Sequence, residues 1–203
     1  MKIVGIGKNY VNDLADKPTD KGTPIIFTKP ESTLLKTNEG LKLPSISDEV
    51  WYEIEIAFRI GEKCKDVNAS EAFKYIDALA LANDLTAKDV LSASREKKGP
   101  WALAKGFDGA TPMGEFIPVS NFEDVMNINF SLEINGEEKQ NGNTSLMIFT
   151  LAEVIEYVSS FMTLEPGDVI LTGTPAHGVS TLKSGDHLIG KIEGKVELET
   201  RVL

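Results

Sequence analysis

One stretch constrains the fold of this chain more than any other: Trp51-Tyr52-Glu53-Ile54-Glu55-Ile56-Ala57-Phe58-Arg59-Ile60. Successive strand side chains point to opposite faces, so Tyr52, Ile54, Ile56, Phe58 and Ile60 form one apolar face and Glu53 and Glu55 project from the other. Two carboxylates at adjacent positions of one buried face repel each other and are costly to desolvate unless a cation or a donor network compensates them. A hard divalent metal is one such cation, because it takes oxygen ligands. An edge strand with one solvated polar face is the alternative that this spacing alone leaves open.

The 203 residues suffice for one domain with its own core, and no internal repeat or long linker divides residues 1–203. A net charge of -10 and a pI near 4.8 argue against nucleic acid or an anionic membrane as partner, since binding either needs a basic surface. A small anionic substrate would then need a local positive centre, which a metal and one or two lysines would supply. No run approaches the roughly 20 apolar residues of a membrane span, and Met1 to Gly7 is too short for a signal peptide, so a cytoplasmic location is expected. The lone Cys64 excludes an internal disulfide and a Cys-rich zinc site.

Short strand-like runs dominate: Ile3 to Ile6, Ile25 to Thr28, Trp51 to Ile60, Ile128 to Ile134, Asp168 to Thr172, His187 to Ile192 and Lys195 to Val202. Asn135-Gly136 and Glu193-Gly194 read as hairpin turns. Asn68 with Glu71 predicts a capping box opening a short helix towards Tyr75, and Thr150 with Glu153 a longer helix to about Met162. A third helix follows Thr86, passes through Lys98 and ends at Gly99-Pro100. The expectation is an α+β, β-rich domain built on twisted mixed sheet with helices outside. Residues 11–24 are polar and rich in helix breakers, a connector or a lid.

Four further pieces join the carboxylate pair. Asp84 ends the apolar run Ala78-Leu79-Ala80-Leu81-Ala82-Asn83 and is followed by Thr86-Ala87-Lys88-Asp89. Lys105 lies in Trp101-Ala102-Leu103-Ala104-Lys105-Gly106-Phe107-Asp108. Gly167-Asp168-Val169-Ile170-Leu171-Thr172-Gly173-Thr174-Pro175 is a strand that breaks into a polar turn, and the amino end carries Gly7-Lys8-Asn9-Tyr10 and Pro24-Ile25-Ile26-Phe27-Thr28-Lys29-Pro30. In this order the pieces resemble the fumarylacetoacetate hydrolase superfamily, in particular its small acylpyruvate hydrolase and oxaloacetate decarboxylase branch. The resemblance covers nearly the whole chain. It implies a mixed β-sandwich roll, a homodimer, and Mg²⁺ or Mn²⁺ held by Glu53, Glu55 and Asp84. It also implies Lys105 as the active-site lysine, with Thr174, Gly173 and Lys88 at the substrate. Read without the resemblance, Lys105 is a surface lysine snorkelling beside Trp101.

The chemistry so implied is cleavage of a carbon–carbon bond in a small 2-keto acid of the acylpyruvate type. Oxaloacetate decarboxylation and enol–keto tautomerisation on related dienoic acids are variants, and a non-catalytic keto-acid binding protein is the reading from a different class. The amino-terminal signature departs from the family's Gly-x-Asn-Tyr-x-x-His-x-x-Glu, because Asp13 stands at the histidine position and Asp16 at the glutamate position. A carboxylate of ordinary pKa near 3.9 is a weaker base than an imidazole near 6.5, so water activation rests on Asp13 and Asp16 acting together or on His177, brought near Thr174 by an apparent one-residue insertion. Solvated loop acids and an exposed turn histidine are the alternatives. Lys88 replaces the family's arginine, Leu91 replaces its glutamine, and His187 reads as structural or exposed.

Overall fold

The computed structural model describes residues 1–37 and 39–203. β1 (Lys2–Gly7) and β2 (Ile25–Pro30) are followed by β3 (Leu34–Lys36), β4 (Gly40–Leu41) and β5 (Val50–Trp51). Next come the long strands β6 (Ile54–Ile60) and β7 (Ile76–Asn83), the short β8 (Thr86–Ala87) and helix α1 (Lys88–Glu96). Helix α2 (Ala102–Lys105), β9 (Thr111–Met113) and β10 (Ile117–Pro118) precede the hairpin of β11 (Asn129–Ile134) and β12 (Glu137–Asn143). Helix α3 (Leu151–Phe161), β13 (Val169–Leu171), β14 (His187–Ile192) and β15 (Lys195–Val202) complete the chain.

The larger sheet runs β2-β1-β13-β6-β7-β9-β3, with β10 paired to the other end of β7. It is mixed: β1 lies parallel to β13 and β3 parallel to β9, while β6 is antiparallel to both of its neighbours. β6 is therefore an interior strand, which removes the edge-strand alternative for Glu55 within it, while Glu53 lies just ahead of its first residue. The second sheet runs β12-β11-β14-β15-β4. Ile54, Ile56, Phe58 and Ile60 of β6 share one core with Phe130 and Leu132 of β11, Leu188 of β14 and Leu198 of β15. A Cβ built on Gly190 would sit 2.5 Å from Leu81, so the two sheets approach as closely as they do only because this position carries no side chain. Ala57 points the other way, into a smaller apolar cluster with Ala80, Ala82, Val169 and Leu171. The resulting curled mixed-sheet architecture is the expected β-sandwich roll. No helix among the described residues is long and apolar enough to cross a membrane.

Several local expectations meet the structure directly. Thr150 and Glu153 form a reciprocal capping box on α3, whose Leu151, Val154, Ile155 and Val158 enter the core. Asn135-Gly136 and Glu193-Gly194 have positive φ at both positions, the primed-turn pattern that matches strand twist. The Asn68 box is a correction: Ala69–Tyr75 is a 3₁₀ helix with no side-chain cap. There the Glu71 N–H bonds the Asn68 carbonyl at 2.9 Å, and the Glu71 carboxylate turns to Lys74 instead. α1 stops at Glu96, short of Lys98.

Asp168 pins the amino terminus of β1 to the turn before β13. Its carboxylate accepts the Lys2 N–H at 2.8 Å, the Glu165 N–H at 2.7 Å and the Lys2 ammonium. Burial works against its charge, but Lys2 and these N–H donors outweigh it and hold the pKa below the usual aspartate range. Because the folded pKa is depressed, the stabilisation is complete above the unfolded value near 4 and is lost as pH falls through the folded one. Asp168→Asn is expected to lower stability at pH 7 by about 1–3 kcal/mol, and urea unfolding at pH 7 and pH 3 should show the gap to wild type closing in acid.

Candidate active site

Antiparallel pairing of β6 with β7 sets Ile54 opposite Asn83 and so brings the start of one strand to the end of the other. The Glu53 N–H donates to Asn83 Oδ1 at 2.8 Å, and the Asp84 N–H donates to the Glu53 carbonyl at 2.8 Å. Glu55 lies on the face of β6 opposite the main core and is 2 % exposed; Asp84 is 1 % exposed, and Glu53 is half-buried at the solvent side. One carboxylate oxygen from each of Glu53, Glu55 and Asp84 lies within 4.8 Å of the others.

Two lysines face this cluster. Lys105, the last residue of α2, is buried and donates to Glu53 Oε2 at 2.8 Å and to Asp84 Oδ2. Lys29 of β2 is also buried and donates to Asp84 Oδ1 at 2.5 Å and to the Ala110 carbonyl at 2.6 Å. Sequence reasoning assigned Lys29 no role, although strand alternation sets it on the same side as Phe27, which lines the cleft. Burial alone would lower the pKa of Lys105, but Asp84 and Glu53 hold it above the ordinary lysine range, so it stays an ammonium. Burial would likewise raise Asp84, yet Lys105 and Lys29 hold it below the usual aspartate value. Glu55 moves the opposite way: burial first, and then the adjacent Asp84, push it well above the ordinary glutamate range, partly offset by Lys105.

The cluster floors a cleft of about 280 Å³. Its aromatic walls are Phe27, Trp51, Trp101 and Tyr10, and Leu91 adds an aliphatic patch. Lys88 lines the cleft with its ammonium 4.3 Å from the Trp51 ring centroid. Thr174 lines it too, and its hydroxyl accepts a 2.9 Å hydrogen bond from Gln140 Nε2. The Gly173 N–H is committed to Glu55 Oε2 at 2.7 Å. Gly173 adopts φ +95 with Asn9 Cβ only 2.9 Å from where a Cβ would sit, so this donor geometry requires glycine.

The structure thus gathers Glu53, Glu55, Asp84, Lys105, Lys88, Gly173 and Thr174 in one place. It leaves the three candidate bases outside. Asp13 is exposed, and its carboxylate accepts the Ala15 N–H at 2.8 Å as the cap of the Leu14–Asp16 turn. Asp16 is an exposed member of that turn. The His177 ring turns outward to Asn12 Oδ1 at 3.2 Å, and none of the three is among the described residues lining the cleft. The segment that carries the two acids is tied to α3 by Lys21, whose ammonium reaches Glu153 Oε1 at 2.6 Å. His187 pairs with Glu199 at 2.7 Å, far along the chain from the cluster.

The family model for the carboxyl-terminal domain of fumarylacetoacetate hydrolase matches residues 2–203. The chain belongs to this family. Among its relatives, an oxaloacetate tautomerase of Escherichia coli is 38% identical over 204 residues, spanning 100% of this chain and 92% of that protein. A mitochondrial oxaloacetate decarboxylase of Dictyostelium discoideum is 38% identical over 186 residues, spanning 91% and 85%. The crystal structure of fumarylpyruvate hydrolase from Pseudomonas aeruginosa, in complex with Mn²⁺ and pyruvate, matches with a TM-score of 0.91 and 30% identity over 100% of this chain and 89% of that one.

Three convergent carboxylates offering only oxygen donors suit a hard octahedral ion, so Glu53, Glu55 and Asp84 fit Mg²⁺ or Mn²⁺. Calorimetric titration with Mn²⁺ should show Glu55→Gln and Asp84→Asn weakening binding at least tenfold, with Asp13→Asn and Asp16→Asn leaving it unchanged. Equal affinities across the four variants would separate the carboxylate cluster from metal binding.

Proposed function

We propose that this protein interconverts the enol and keto forms of small 2-keto dicarboxylic acids of the oxaloacetate type, using a divalent metal held by Glu53, Glu55 and Asp84. The observation that carries this reading is the division of the site: a buried ammonium stands on the carboxylate cluster, while Asp13, Asp16 and His177 lie outside the cleft. Tautomerisation needs charge stabilisation at the keto oxygen and a proton exchanged at the neighbouring carbon. Hydrolysis of an acylpyruvate needs in addition a base that activates water, and no imidazole or loop carboxylate is presented for that task. The names of the E. coli and D. discoideum relatives support the reading.

A bound metal supplies Lewis acidity at the 2-keto carbonyl. The remaining work falls to the chain. Lys105, held protonated by its neighbours, presents N–H donors where enolate charge develops, in a buried setting that strengthens the interaction. Thr174 and Lys88 line the wall where a substrate carboxylate would rest. The proton leaving carbon 3 would pass to water at the solvent side of the site, where Glu53 is half-buried, and the enolate oxygen would take a proton from water in return. Loss of carbon dioxide from oxaloacetate would break the C3–C4 bond and leave the pyruvate enolate, whose charge develops on the same 2-oxygen, so decarboxylation is the second reaction this arrangement supports.

The test follows the enol absorbance of oxaloacetate and, in parallel, pyruvate release from oxaloacetate and from acetylpyruvate, each with added Mn²⁺. Metal-dependent acceleration of enol–keto exchange is expected, reduced about 10²–10³-fold in Lys105→Met. That variant should keep its Mn²⁺ affinity, because it removes a cation that competes for Glu53 and Asp84. Faster cleavage of acetylpyruvate than exchange in oxaloacetate would overturn the proposal in favour of the hydrolase.

A further inference from the structure

α1 carries a second cation into the cleft that none of the preceding chemistry uses. Lys88, Leu91 and Arg95 stand at i, i+3 and i+7 on this helix, share one face, and all line the cleft. Helical side chains lean towards the amino terminus, so the long Arg95 side chain reaches back along the helix in the direction of Lys88 and the site. Its guanidinium lies 4.7 Å from the Trp101 ring centroid. Trp101 in turn packs against Phe27 with centroids 5.6 Å apart, and Phe27 lies 4.8 Å beneath the Lys105 ammonium.

One wall of the cleft is therefore a continuous aromatic surface with a cation at each end, Lys105 buried at the inner end and Arg95 exposed at the outer. The inner cation is engaged by Glu53 and Asp84. Among the described residues the outer one has no carboxylate within salt-bridge distance, in a chain where acids outnumber lysines and arginines 31 to 21. A guanidinium resting over a tryptophan ring, with no carboxylate on it, has N–H donors free to grip a carboxylate with two hydrogen bonds. Leu91, between Lys88 and Arg95 on the same helix face, offers no polar group, so a ligand reaching Arg95 past it meets apolar contact.

We propose that Arg95 is the specificity residue for a second carboxylate: it selects 2-keto acids carrying a distal carboxylate over monocarboxylates of the same length. This rests on the 2-keto acid reading of the site given above, and it adds the residue that reads the far end of the substrate. Arg95 contacts no reacting atom, so its removal changes which acids bind while the inner site remains built.

Calorimetry on the Mn²⁺-loaded protein with matched pairs that rest in the keto form and so undergo no net conversion tests this: 2-oxoglutarate against 2-oxopentanoate, and 2-oxoadipate against 2-oxohexanoate. Wild type should favour the dicarboxylate of each pair by about tenfold or more. Arg95→Ala should bring each ratio close to one, and Arg95→Glu should turn it below one. Both variants alter an exposed helix position, and an unchanged melting temperature checks their folding. Equal affinities in wild type, a preference that survives in Arg95→Ala, or a preference that collapses only in Lys88→Ala would each overturn the assignment. Because binding is read without turnover, oxaloacetate tautomerisation by wild type separates the fate of this proposal from that of the function proposed above.

Discussion

Asp84 held between the buried amino groups of Lys29 and Lys105 is the interaction on which the remainder of the site depends. Three carboxylates and two lysines meet there, drawn from the start of β6, the residue after β7, the end of β2 and the end of α2. Removing one member of such a group strands an uncompensated charge in a poorly solvated place, a penalty far larger than the net worth of the pair. The cluster is thus at once a candidate catalytic centre and a joint between segments distant in sequence. Lys29 grips one oxygen of Asp84 while Lys105 takes the other, so the carboxylate has no rotational freedom left.

The cleft above this joint reconciles an acidic protein with an anionic substrate. Overall charge opposes the approach of a dicarboxylate, but the local surface is aromatic and carries Lys88 and Arg95 on ring faces. Rings present negative potential to cations and flat apolar area to a carbon chain, so the same wall orients the basic groups and accepts the body of the ligand.

Much of this placement was legible in the sequence because it follows from period and order. The alternation in Trp51 to Ile60 separates core from carboxylates, and Asp84 falls at the end of an apolar run long enough to be the neighbouring strand. β7 was nevertheless absent from the expected strands, because Ile76–Asn83 is buried on both faces nearly throughout and shows no alternation. β12 escaped for the opposite reason: Glu137–Asn143 has almost no apolar side chain, and it is a strand only because the tight turn at Asn135-Gly136 folds it back on β11. Lys29 was passed over because nothing local distinguishes a buried lysine from a solvated one; its role appears only once Asp84 is opposite. The position of His177 depended on the direction of a turn, which spacing does not encode. Arg95 was readable in principle, seven residues beyond Lys88 on a predicted helix, had that face been assigned.

β6 has a consequence for how such a protein can change. Its even-numbered residues build the hydrophobic interior and Glu55 reaches the site from an odd position, so both sets are phased by a single two-residue rhythm. Sliding that strand by one residue against β7 or β13 would expose the isoleucines and bury the acids in hydrocarbon in the same step. Glu55 is consequently protected from drift by the cost of misfolding, whereas α1 and the loop bearing Asp13 are under no such lock. A change at the rim leaves that two-residue rhythm intact, whereas a change that moves Glu55 must also move the hydrophobic interior.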